Sequence, residues 1–240
     1  MNTQEVETWL SNRQEQLRQG IKPIVHDLKT LVTSHDFVFL LIDGPQGIGK
    51  TRYLEPVFQE MMEQTVGFTP ETICTNYTMI SREERSALSK DTYEDLWNWY
   101  RFPKLVNFMS DAIDAHRAGK SSITLTDWYN RAKGGIIDHE PLKIGLKPIM
   151  IVEGIGALSK DVLDLLKREQ VPFISVMFNA PQELRFSWIL KARSYRKPEE
   201  QVMLMKTVDD SYFAHYPGLL KNAKYYAFLT KTDFFVSKTC

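Results

Sequence analysis

Gly44-Pro45-Gln46-Gly47-Ile48-Gly49-Lys50-Thr51 fits the pattern G-x-x-x-x-G-K-T, and its reading decides the fold. Glycines let the backbone curl until successive N–H groups point inward at phosphate oxygens, and the positive end of a following helix adds its partial charge. In such a loop Gly44, Pro45, Gln46, Gly47, Ile48 and Gly49 form the cradle, Lys50 reaches the β- and γ-phosphates, and Thr51 offers its hydroxyl to Mg2+.

The flanks supply the context this chemistry requires. Phe37-Val38-Phe39-Leu40-Leu41-Ile42 is continuously apolar and rich in β-forming residues, as expected of a strand buried on both faces of a parallel sheet. Residues 52 to 62 read as the helix after the loop, with Pro56 tolerated in its first turns. Strand, glycine loop and helix together predict an α/β fold around a central parallel sheet.

The chain has 240 residues, enough to bury a sizeable core, and reads as one large domain. Lys plus Arg and Asp plus Glu both total 30, so no overall basic field argues for nucleic acid or membrane. With only Cys74 and Cys240, neither a disulfide framework nor a cysteine metal site is expected, which fits a reducing cytoplasm. The five histidines show no metal-ligand spacing, and no run approaches a membrane span or a signal peptide.

Trp9, Leu10, Leu17, Ile21, Ile24, Leu28 and Leu31 recur at helical spacing, with a break expected at Pro23, so residues 1–35 read as a helical segment packed on a domain spanning 36–240. Thr72 to Asn76 reads as a second strand whose C-terminal end lies beside the phosphate loop, on the edge that carries ligands in open α/β sheets. A polar stretch leads into a long helical segment containing Leu96 and Ile113, with a break placed by Pro103, and Trp97, Trp99, Tyr100 and Phe102 cluster there. Ser122 to Tyr129 alternates as one strand, and with Gly134-Gly135 and Ile136-Ile137 it predicts a hairpin over about 121–140. Pro148 to Val152 is a buried strand ending in Glu153-Gly154, which puts a carboxylate at the strand end where phosphate chemistry needs one near magnesium. Arg185, Lys191, Arg193, Arg196 and Lys197 crowd a basic segment over about 185–200, suited to neutralising charge on a transferred phosphoryl group. Tyr225 to Leu229 closes the list of strands, with Phe234 to Val236 as its partner.

This order resembles the uridine kinase and phosphoribulokinase branch of P-loop kinases over roughly residues 36 to 230. The phosphate loop is common to the whole superfamily. Ile151-Val152-Glu153-Gly154-Ile155 and Thr126-Asp127-Trp128-Tyr129 point to this branch. The resemblance implies a three-layer P-loop NTPase fold with an acceptor-side β-hairpin and a basic helical lid over ATP. It also implies Mg2+- and ATP-dependent phosphoryl transfer to a small-molecule hydroxyl acceptor such as a nucleoside. In that scheme Lys50, Arg185, Lys191, Arg193 and Arg196 stabilise the transferred group, Arg193 also contacting the nucleotide, and Thr51 and Glu153 hold the metal. Asn76, Tyr77, Trp97, Asn98, Tyr100, Asp127 and Tyr129 fall at the acceptor.

The departures from that family concern the base. Where uridine kinases carry an aspartate after the second strand, Cys74-Thr75-Asn76-Tyr77 stands here, and a second family acid falls near Asn98. An amide has no useful basicity. Asp127, Asp95, Glu94 and Asp91 are substitutes, Asp127 preferred, and Asp43 is expected to brace the loop. The leading expectation is a small-molecule kinase that contacts neither nucleic acid nor membrane, a homo-oligomer being compatible with its composition. The alternative is a nucleotide-binding module or regulatory ATPase that has lost acceptor phosphorylation.

Overall fold

The phosphate-loop strand, β1 (Val38–Asp43), lies at the centre of the computed structural model, with all six of its residues buried. The structure describes residues 3–130, 133–137, 140–192, 198–230 and 233–239. Ahead of β1 runs helix α1 (Thr3–Ser34), and after the loop comes α2 (Glu55–Val66). Strand β2 (Glu71–Cys74) is followed by two short helices, α3 (Arg82–Ser86) and α4 (Lys90–Glu94), and by the long helix α5 (Phe102–Arg117). Next come the short strands β3 (Ser122–Leu125), β4 (Trp128–Asn130), β5 (Gly135–Ile137) and β6 (Leu142–Gly145), then β7 (Ile149–Glu153). The chain finishes with α6 (Lys160–Arg168), β8 (Phe173–Asn179), α7 (Gln182–Ala192), α8 (Pro198–Lys221), β9 (Tyr225–Leu229) and β10 (Phe234–Lys238).

The main sheet has the order β10-β9-β8-β1-β7-β2, parallel except for β10 at one edge. Because side chains alternate across a strand, β1 feeds two cores. Phe39 and Leu41 pack with Met150 and Val152 of β7 beneath Leu105, Met109, Val162 and Leu166 of α5 and α6. Val38, Leu40 and Ile42 face Ile21, Ile24 and Leu28 of α1 and Phe58 and Met62 of α2. The apolar run reads as continuous because helices cover both faces.

Three expectations change. The break at Pro23 is absent: α1 runs on through it, with the proline on the exposed face, where water can serve the carbonyl it leaves unbonded. The helical segment expected from Leu96 does break, but ahead of Pro103: it divides into a 3-10 turn, Leu96–Trp99, and α5, whose Pro103 sits in its first turn. The strand expected over 122–129 breaks at Asp127, which adopts a left-handed backbone with φ 52°. The hairpin is therefore two ribbons end to end, β3 with β6 and β4 with β5.

Candidate active site

The phosphate loop is held from behind by a buried carboxylate. Asp43 Oδ1 accepts from the Gly44 N–H at 2.7 Å and from the Tyr212 hydroxyl at 3.0 Å, and its Oδ2 accepts from the Leu158 N–H at 2.9 Å. Burial pushes this carboxyl up to about 6, against the pull of its N–H donors and Lys50. Asp43 thus joins the loop to α8 and to the turn after β7.

At Gly47, φ is 81°, and a Cβ would stand 2.7 Å from Ile189 Cδ1 and 2.8 Å from the Arg185 carbonyl. The loop and α7 touch with no room for a side chain, so only glycine satisfies both the conformation and the contact.

Past the loop, Lys50–Leu54 winds as one wide turn, the Leu54 N–H reaching the Gly49 carbonyl at 3.2 Å. Lys50 Nζ donates to the carbonyls of Gly44 at 2.6 Å and Pro45 at 3.0 Å. Its burial lowers the ammonium pKa, opposed by the negative charges of Glu153 and Asp43. A phosphate entering the cradle would exchange those carbonyls for stronger, charged acceptors.

The register Ile42↔Glu153 and Cys74↔Glu153 aligns the ends of β1, β7 and β2, so that residues distant in sequence meet. Thr51 Oγ1 donates to Glu153 Oε1 at 2.7 Å, and Cys74 Sγ donates to the same oxygen at 3.2 Å. Burial first, then the neighbouring Glu153, pushes the Cys74 thiol well up, so it stays a donor. Glu153 is 1% exposed. A hydroxyl and a carboxylate side by side are hard oxygen donors of the kind that fit Mg2+. Among the described residues no cluster of three or more His, Cys, Asp or Glu forms a fuller metal cage.

From this corner a cavity of about 590 Å³ extends between the loop, the segment after β2, the hairpin and α7–α8. Trp188, Ile189, Leu204 and Val208 give it an apolar cover, and Gln46 Nε2 reaches the Met205 carbonyl of α8 at 3.4 Å. The lining also includes Asn76, whose Oδ1 accepts from the Tyr100 hydroxyl at 3.2 Å, and the aromatic side chains of Trp99, Tyr100 and Tyr129. Arg85 lines the same end, donating through Nη1 to the Ile80 carbonyl at 2.7 Å and through Nη2 to the Tyr129 hydroxyl at 3.0 Å.

The structure thus brings Gln46, Gly47, Gly49, Lys50, Thr51, Glu153, Asn76, Tyr100 and Tyr129 to one cavity. It sets others apart from the lining. Trp97 stacks on His215 with ring centroids 4.0 Å apart, because the 3-10 turn faces it toward α8. Asn98 is exposed and donates to the Thr92 carbonyl at 3.1 Å, and Tyr77 packs edge-on against Trp128 at 5.7 Å. Asp127 is exposed at the bend between the ribbons, and the Lys104 ammonium donates to its carbonyl. Asp95 is engaged by the Trp97 N–H at 3.0 Å and Ser211 Oγ at 3.1 Å. None of the substitute acids lines the cavity, where Glu153 is the single carboxylate among the described residues.

Arg185 is not a cation free to swing over a phosphate: it is 1% exposed and locked to Asp209. Arg193 and Arg196 lie outside the described residues, as does the side chain of Lys191. Arg82 and Arg85, which belong to a polar stretch with no functional motif of its own, enter the site on α3. The available signal was the capping box Ser81-x-x-Glu84: the Ser81 hydroxyl accepts from the Glu84 N–H and the Glu84 carboxylate from the Ser81 N–H.

No protein-family model and no curated protein sequence matches the chain. Solved structures do. The YGR205w protein superposes with a TM-score of 0.61 at 12% identity, over 92% of this chain and 95% of that one. D-glycerate 3-kinase from Cryptococcus neoformans var. grubii serotype A gives 0.59 at 13% identity, over 90% and 96%. A protein of Silicibacter sp. TM1040 described as a fructose transport system kinase gives 0.52 at 12% identity, over 78% and 94%. Similarity at these identities establishes the fold, the α/β architecture of P-loop NTPases.

Proposed function

We propose that this chain is a small-molecule kinase that transfers the γ-phosphoryl group of ATP, with Mg2+, to a hydroxyl of a small metabolite. The observation that carries the reading is the convergence of Lys50, Thr51 and Glu153 on a cavity whose lining also includes aromatic and polar side chains.

In the reaction the acceptor hydroxyl oxygen bonds to the γ-phosphorus, the bond from that phosphorus to the bridging oxygen breaks, and ADP leaves with the electron pair. The hydroxyl proton passes to an oxygen of the transferred phosphoryl group and is lost to bulk water when the product leaves. Loop N–H groups and Lys50 orient the phosphates and meet the charge that spreads over the transferred oxygens. Thr51 and Glu153 would hold Mg2+, which would supply further neutralisation of the phosphates. Asn76 and Tyr100 position the acceptor. The cover formed by Trp188, Ile189, Leu204 and Val208 excludes water that would otherwise compete with it. Positioning and charge neutralisation carry most of a loose phosphoryl transfer, so an amide at Asn76 is compatible with turnover.

A nucleoside such as uridine or a related sugar compound belongs in the acceptor panel, since its ring can lie against Trp99 or Tyr100. So does glycerate, the acceptor named for one protein of the same fold. A second reading, a nucleotide-binding module without transfer, draws on Glu153 being the only carboxylate lining the cavity among the described residues.

Mass spectrometry of reactions containing purified protein, Mg-ATP and pools of nucleosides, sugars, sugar phosphates and hydroxy acids decides between the two. A phosphorylated product that disappears in Lys50→Met supports the kinase. ATP binding with no product above the acceptor-free control supports the module.

A further inference from the structure

The acceptor end of the cavity carries positive charge that the phosphate chemistry does not use. Arg82 and Arg85, one turn apart on α3, both line it. Arg82 lies against the hairpin turn, where a Cβ on Gly134 would meet its Nε at 2.7 Å, and its own N–H donates to the Gly134 carbonyl at 3.1 Å.

Arg85 is half-buried, and everything that holds it is neutral. Its guanidinium sits 5.2 Å from the ring centre of Tyr129 and 5.6 Å from that of Trp99. Of its five N–H donors, one is given to the Ile80 carbonyl and one to the Tyr129 hydroxyl. Arg18, Arg101, Arg117 and Arg185 each have a carboxylate partner. Among the described residues Arg85 has none. A cation partly withdrawn from water without a counter-ion is costly, and an anionic ligand offsets that cost. The aromatic walls lower the local dielectric, which strengthens the attraction for such a ligand.

We infer that the acceptor is itself an anion, a hydroxyl compound bearing a carboxylate or phosphate group that docks on Arg85, with Arg82 beside it. The inference deepens the kinase reading and rests on it for the identity of the cavity as an acceptor site. Glu153 lies at the metal corner and the other acids lie off the lining, so no described carboxylate competes for the same cation. Anchoring the anionic group there leaves the acceptor hydroxyl free to face the loop. The fork geometry of a guanidinium suits the two coplanar oxygens of a carboxylate or two oxygens of a phosphate.

The test is calorimetric binding to protein loaded with Mg2+ and a non-hydrolysable ATP analogue, run alongside transfer assays with Mg-ATP. Two matched pairs serve as probes: glycerate with glycerol for a carboxylate, and ribose 5-phosphate with ribose for a phosphate. Uridine is added as a neutral ring. At least one anion should bind about tenfold or more tightly than its neutral counterpart and lose about that factor in Arg85→Gln, the equivalent of one charged contact. Arg85→Lys should fall between, and binding of the ATP analogue should be retained in both variants as evidence that the fold is intact. Equal binding of neutral and anionic partners, anion binding unchanged in Arg85→Gln, or no anion binding at all would overturn the inference. An anion that binds through Arg85 while no member of the panel is phosphorylated leaves the anion site on Arg85 standing but defeats the kinase reading, and with it the assignment of that anion as an acceptor.

Discussion

Arg185 and Asp209 form a fully buried, two-pronged ion pair, Nη1 to Oδ1 and Nη2 to Oδ2 both at 2.6 Å. Arg185 also donates to the carbonyls of Ala180 at 3.0 Å and Gln46 at 3.3 Å, and Gln182 donates to Asp209 at 3.1 Å. The pair therefore ties α7 and α8 to the phosphate loop itself. Removing one partner strands a buried charge, so Asp209→Asn should cost about 3–5 kcal/mol in urea unfolding. The double variant Arg185→Met/Asp209→Leu should recover much of that loss, because apolar replacement of the whole pair avoids desolvation. A single-variant loss within about 0.5 kcal/mol, the range of an unremarkable surface substitution, would show that the pair does not brace the loop.

Glu153→Gln keeps a carbonyl oxygen to accept from Thr51 and Cys74 while removing the charge a cation needs. Turnover with Mg-ATP should drop by about a hundredfold or more, the scale of losing one electrostatic contact at a phosphoryl centre. Thermal stability should change little. Calorimetry of nucleotide binding with and without Mg2+ checks the assignment: the variant should lose the metal dependence, whereas undiminished Mg2+ linkage would remove Glu153 from the metal site.

Asp43 has a folded-state pKa of about 6 against an ordinary 3.8, so between those values the folded protein holds a proton the unfolded chain has released. Its contribution to stability is therefore present at low pH, falls as pH rises through that window and is gone above it, a change of about 3 kcal/mol. The variant Asp43→Asn cannot titrate there, and its amide puts a donor opposite one of the three bonds that Asp43 accepts. The melting-temperature gap between wild type and variant should therefore narrow from pH 4 to pH 6, a trend that thermal melts across this range would reveal. A constant gap would count against the shifted carboxyl.

Asp127→Asn should leave transfer within about twofold, because a side chain off the cavity lining contributes nothing to transition-state binding. Steady-state kinetics with the acceptor that the product screen identifies provides the check. A loss of about a hundredfold would return Asp127 to the role of base that the sequence suggested.

What could be read from the sequence follows from local rules. The run Phe37–Ile42, the glycine loop and Lys50-Thr51 imply the central strand, the phosphate cradle and the P-loop fold, because backbone curl and buried-strand composition are set by neighbouring residues. Glu153 was legible for the same reason, as an acid ending an apolar run. The rest depended on contacts between elements far apart in the chain. Arg185 reads as a lid cation over the phosphates in sequence but is buried because Asp209, on another helix, folds back onto it. Asp127 turns out of the site because one residue in a left-handed conformation bends the hairpin. Arg85 enters the site because the Ser81 capping box starts a helix within a polar stretch, and Tyr129 on the hairpin then meets its guanidinium. Period and motif place a side chain on an element. Only tertiary packing decides which other elements it faces, and so whether a charge is paired, exposed or left waiting for a ligand.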